Sequence, residues 1–119
     1  MKEKRIEVGL IKGRHPLPVK NYIFDEEIEN VFDEEFLSKT IKNFLNKNIK
    51  IEKKYELCLA QADYTDIERY VSKERLVVYV TGLTIVTAEL IKMCAYEGVS
   101  LSLMNYDRET DSYVEQFIF

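Results

Sequence analysis

Leu76-Val77-Val78-Tyr79-Val80-Thr81-Gly82-Leu83-Thr84, the stretch 85–97, Gly98 and Val99-Ser100-Leu101-Ser102-Leu103 together decide the fold. The unbroken apolar run at 76–80 has the length and β-branching of a buried strand, and Thr81 to Thr84 form a glycine-containing turn. Residues 85–97 are too long for a strand and carry helical spacing, with Gly98 placed to cap their end. The alternation at 99–103 then predicts a second strand. A strand, a crossover helix and a further strand make a parallel βαβ unit in nearly every case, so 76–81 and 99–105 are expected side by side and parallel.

Outward from this unit, the polar loop Asp107-Arg108-Glu109-Thr110-Asp111 is followed by Tyr113 to Phe119, which return as a hairpin partner. Upstream, residues 5–11 (RIEVGLI) alternate as a strand and end in Lys12-Gly13-Arg14-His15-Pro16-Leu17-Pro18, where glycine and two prolines forbid continuation. Tyr22-Ile23-Phe24 suits a short edge strand. The acidic run Asp25 to Glu29 reads as a solvated face, and a helix starts near Asp33 with Glu34 and Glu35 in its first turn. Leu37, Ile41, Phe44 and Leu45 form one apolar stripe on it, the pattern of a helix covering a sheet. From Ile49 on, Ile51, Tyr55, Leu57 and Leu59 alternate with Lys50, Glu52, Lys54 and Glu56, giving a half-buried strand. Asp66, Ile67, Tyr70 and Val71 within 65–72 have helical spacing, so this short segment is expected as a helical turn or an ordered loop. The expected fold is a small α/β single domain over residues 1–119: a mixed β-sheet, a C-terminal βαβ unit plus hairpin, and two main helices.

Composition agrees with a folded chain: 46% of the 119 residues are apolar and 32% charged. A formal charge of −4 opposes duplex nucleic-acid binding, which uses a basic face, while leaving room for a small anion held by local cations. Cys58 and Cys94 have neither disulfide-framework nor zinc spacing, and His15 is the sole histidine, so two reduced buried thiols and no metal or other cofactor are expected. No apolar stretch is long enough to span a bilayer, and Met1-Lys2-Glu3-Lys4-Arg5 leads into no signal core, so a cytoplasmic location is expected.

Parallel sheets bind ligands beyond the carboxyl ends of their strands, which selects three segments. At Thr81-Gly82-Leu83-Thr84, amides, hydroxyls and a helix dipole suit an anion, although the four residues match neither a Walker loop nor a dinucleotide fingerprint. The plainer alternative makes Thr84 an N-cap and Gly82 a tight turn. At Asn105-Tyr106-Asp107-Arg108, an amide for a base edge, an aromatic face, a carboxylate for ribose and a guanidinium for phosphate stand together, or else merely supply a polar hairpin turn. Lys12-Gly13-Arg14-His15 joins this rim if the first strand runs parallel to the others. His15 lacks an identifiable nucleophile partner, so no triad is read. Tyr79 and Tyr106 approach the same rim and can stack a purine, with core packing as the plainer role.

Val78 to Thr84, the helix after them, and Leu103-Met104-Asn105-Tyr106-Asp107-Arg108-Glu109-Thr110 resemble the phage and prophage sponge proteins that counter bacterial Thoeris defence. The resemblance covers about the last 45 residues, with the Gly13-Arg14-His15-Pro16-Leu17-Pro18-Val19 loop as a supporting cue. It implies an oligomeric, non-catalytic protein that sequesters a cyclic ADP-ribose isomer and so blocks immune signalling in the host cytoplasm. The residues it would carry over are Arg14, Thr81, Gly82, Thr84, Asn105, Asp107 and Arg108.

Three functions compete. A non-enzymatic binder would clamp phosphates with the amides at 82–84 and with Arg108 or Arg14, while Tyr106 or Tyr79 meets the base; it is expected to be at least a homodimer. A Rossmann-like cyclic-nucleotide phosphodiesterase or ring nuclease would use His15 as acid/base and Arg108 on the transition state. A protein-interaction subunit would pair through the strand carrying Tyr113, Val114, Phe117, Ile118 and Phe119.

Overall fold

Hydrophobic alternation and turn residues partition the chain into β1 (Lys4–Ile11), β2 (Tyr22–Phe24), α1 (Glu34–Asn48), β3 (Ile51–Ala60), β4 (Asp63–Ser72), β5 (Glu74–Tyr79), α2 (Thr84–Glu97), β6 (Ser100–Asp107) and β7 (Ser112–Phe117). The structure is a computed structural model that describes residues 4–13, 16–60, 63–72 and 74–119.

Five strands form one mixed sheet in the order β2-β1-β5-β6-β7. All neighbours are parallel except β6 and β7, which pair as the expected hairpin with Tyr106 opposite Tyr113. The βαβ unit β5-α2-β6 is present, and Gly98 ends α2 at φ 73°, a left-handed conformation that glycine adopts without a Cβ penalty.

Paired residues share a face, so Ile6 and Val8 align with Leu76 and Val78 and with Leu101 and Leu103. Leu37, Ile41 and Leu45 of α1 and Val86, Leu90 and Cys94 of α2 close over this face in one buried cluster. Each such fully buried aliphatic side chain contributes roughly 1.5–3 kcal/mol relative to exposure, which makes this cluster the main source of cohesion. The start of α1 is fixed by Asp33, whose carboxylate accepts the Phe36 N–H at 3.1 Å, with Glu34 and Glu35 favourably placed against the helix dipole.

The opposite face carries polar and aromatic straps. Arg5 on β1 makes a bidentate pair with Glu115 on β7, at 3.0 and 2.7 Å. Arg75 donates to the main-chain oxygens of Leu101 and Phe119 and lies over the Phe117 ring, 5.0 Å from its centroid. Beneath these straps Val77 and Ser102 are fully buried.

One sequence expectation is overturned. Residues 65–72 belong to strand β4, which pairs antiparallel with β3 in a separate two-stranded sheet over ten residue pairs from Ile51↔Ser72 to Ala60↔Asp63. Four residues at helical spacing were too few to set the local structure. The continuous ladder with β3, together with the β-branched Thr65, Ile67 and Val71, favours the extended form. β3 is a strand as expected, and its pairing is with β4, outside the five-stranded sheet.

Candidate functional site

Chain order reverses at the middle of the sheet: β1 is followed by β2 on one side, and β5 by β6 on the other. The carboxyl ends of β1 and β5 therefore diverge at a switch point, where successive connections leave in opposite directions and open a crevice. A cleft of about 740 Å³ lies there, with Pro16 and Leu17 from the loop after β1, Val80, Thr81 and Gly82 after β5, and Asn105, Tyr106 and Arg108 from the end of β6. Asp111 and Tyr113, at the start of β7, close the far wall.

Each wall has a local cause. Gly9 on β1 is a notch: a Cβ there would lie 2.5 Å from the Tyr22 ring and 3.0 Å from Leu17. Glycine lets the loop double back against the strand and bring Leu17 to the cleft. At the second wall Gly82 sits at φ 86°, and a Cβ there would meet nothing within 4 Å, so the turn needs glycine for its conformation and faces open space. The third wall is the β6–β7 turn, made rigid by its own side chains. Asp107 accepts the Glu109 N–H at 3.0 Å and the Thr110 hydroxyl at 2.9 Å, and the Tyr106 hydroxyl donates to Asp111 at 2.5 Å.

Aromatic rings run from the sheet into the cleft. Tyr79 meets Tyr113 edge-on at 4.9 Å, and Tyr113 packs against Tyr106 at 5.6 Å, leaving Tyr106 about half exposed. Donation to Asp111 raises the Tyr106 phenol above its ordinary pKa by favouring the neutral donor, and burial pushes Tyr79 up.

The electrostatics favour an anion at one end. α2 begins at Thr84, its N-cap is Leu83, and no side chain caps it; its first turn contains no acidic residue. The uncapped N–H groups and the positive end of the helix dipole thus follow directly on the Thr81–Gly82 wall. Thr81 is 7% exposed, and its Oγ1 is buried without a hydrogen-bond partner among the described residues. Across the cleft, Arg108 is exposed and makes no ion pair or hydrogen bond among the described residues. Asn105 donates to Gln116 at 3.2 Å.

Of the residues singled out from sequence, Thr81, Gly82, Asn105, Tyr106 and Arg108 come together on the cleft. Tyr79 is buried behind it against Tyr113. The Asp107 carboxylate is occupied by its own turn, which removes it from the ribose role. Thr84 is exposed at the start of α2 without lining the cleft, and it is not the N-cap. Arg14 and His15 lie outside the described residues. Asp111 and Tyr113 were missed as site residues; counting back along the hairpin from the turn at 107–111 would have set Tyr113 opposite Tyr106.

Among the described residues no group of His, Cys, Asp and Glu is arranged to hold a metal ion. Cys94 is a free, buried thiol on the core side of α2, and it does not line the cleft. No described helix is long and apolar enough to cross a membrane. No protein-family model matches the chain, and neither a curated protein nor a solved structure matches it significantly.

Proposed function

We propose that this chain is a non-catalytic binding protein of the host cytoplasm that captures a small, anionic, nucleotide-type ligand, a cyclic ADP-ribose isomer, and withholds it from immune signalling. The observation that carries this reading is the cleft at the switch point. It sets the Thr81–Gly82 turn that leads into an uncapped helix, and a guanidinium unpaired among the described residues, around a half-exposed tyrosine ring, and so offers one place for phosphate and another for a base. Its approximately 740 Å³ is of the size that holds a drug-sized or nucleotide-sized molecule. The specific ligand class comes from the resemblance in the last third of the chain.

Self-association is part of the proposal. β7 is an edge strand without proline or lysine, and its exposed Val114 and Phe117 suit pairing with a second copy.

The test is thermal melting with a panel of cyclic nucleotides and cyclic ADP-ribose isomers, followed by heat release and mass analysis of the ligand. A ligand that binds only the folded chain raises the melting temperature. A rise with intact ligand recovered supports sequestration. A rise with altered ligand replaces it by the phosphodiesterase reading, and no rise with any member removes the nucleotide cleft.

A further inference from the structure

Two independent features meet at the Thr81–Thr84 turn. The first is the start of α2, a 14-residue helix whose leading N–H groups receive no side-chain cap and no acidic neighbour. The second is Thr81, a cleft-lining residue more than nine-tenths buried whose hydroxyl has no hydrogen-bond partner among the described residues. A buried hydroxyl without a partner destabilises the empty protein, and such groups persist where a bound molecule satisfies them. Gly82 between them leaves open space where a side chain would otherwise project. Arg108 faces the same volume and is engaged by no other described group.

We infer that this turn is a phosphoryl subsite: one phosphate of the ligand seats on the first turn of α2, its oxygens accepting from the main-chain N–H groups and from the Thr81 hydroxyl, while Arg108 closes on it from the β6–β7 side. Tetrahedral oxyanions match this donor set because several acceptor oxygens can be engaged from different directions at once. The inference rests on the capture reading for the rest of the ligand, and it assigns Thr81 a role that burial alone would not reveal. It also requires opposite signs in the two states: the hydroxyl is a liability in the empty cleft and an asset in the filled one.

The experiment melts the full chain in sodium phosphate and in sodium chloride at matched ionic strength, for wild type, Thr81→Val, Thr81→Ser and Arg108→Gln. Wild type is expected to gain melting temperature with phosphate over chloride. Thr81→Val, nearly the same shape without the hydroxyl, is expected to melt higher than wild type in chloride and to lose about tenfold or more in apparent phosphate affinity, the scale of a charge-assisted bond. Thr81→Ser keeps the phosphate response, and Arg108→Gln weakens it without shifting the melt in chloride. The subsite is overturned if Thr81→Val responds to phosphate as wild type does, or if it melts lower than wild type in chloride, which would mean that the hydroxyl already has a partner. A cyclic ADP-ribose isomer that stabilises wild type and Thr81→Val equally removes the subsite and leaves the capture reading standing. A phosphate response lost in Thr81→Val, with no nucleotide active, keeps the subsite and removes the capture reading.

Discussion

Replacing Gly82 by alanine tests the geometry of the cleft floor. At φ 86° an L-residue meets its own carbonyl, a cost of about 1–2 kcal/mol for left-handed backbone. Nothing lies within 4 Å of the added Cβ, so no collision adds to this. The stiffer unfolded chain returns about 0.4–1 kcal/mol, leaving a net loss near 1 kcal/mol. With an unfolding entropy of about 2.1 cal/mol/K per residue, 119 residues give roughly 250 cal/mol/K, so Gly82→Ala should melt about 4 °C below wild type. Gly82→Asn, which tolerates positive φ better, should fall between the two. Circular-dichroism melts of the three proteins decide the matter. An alanine variant within about 1 °C of wild type would refute the left-handed turn, and with it the open floor above α2.

Acid should weaken the strap across the sheet. Hydrogen bonds from Arg5 hold the Glu115 carboxyl below its ordinary range, and the Lys50 main-chain N–H does the same for Glu74. A depressed folded-state pKa gives stability that is present above the unfolded pKa and lost as pH falls through the folded one, so urea midpoints should drop below about pH 4.5. Glu115→Gln should flatten that drop; an unchanged pH profile would contradict the pairing. Burial pushes the Cys94 thiol up to about 12, so peptide mapping after iodoacetamide treatment at pH 8 should find Cys94 unmodified in the native protein and modified in urea. Val114→Lys should convert a sedimenting dimer to monomer, since edge lysines oppose strand addition; a wild type that already sediments as monomer defeats the edge-pairing proposal.

The sequence spelled out the elements with strong periodicity and marked ends. Asp33 marked the start of α1 and Gly98 the end of α2, and the apolar run at 76–80 with the alternation at 99–103 gave the parallel pair. Residues 63–72 were harder because their extended form depends on ten pairings with β3, and a weak local pattern carries no information about a distant partner. In the site, the rim residues were legible because the parallel-strand rule points to the ends of β5 and β6. The commitment of Asp107 to its own turn was not legible, since an aspartate after a strand suits ribose and a local turn equally well. Asp111 and Tyr113 needed the hairpin register, which fixes partners only after the turn length is known.

The placement of β1 bears on the order in which the molecule is made. This strand precedes the other described strands in chain order and lies inside the sheet, yet apart from the three residues of β2 its neighbour is β5, so Arg5 waits for Arg75 and Ile6 for Leu76. For about 70 residues of synthesis its inner ladder has no template. Closing so long a loop before any contact rewards it is entropically slow. A nascent chain arrested before β5 should therefore present β1 as bare strand, the form that chaperones engage, and the collapse that builds the core and the cleft waits until β5 and β6 have been made.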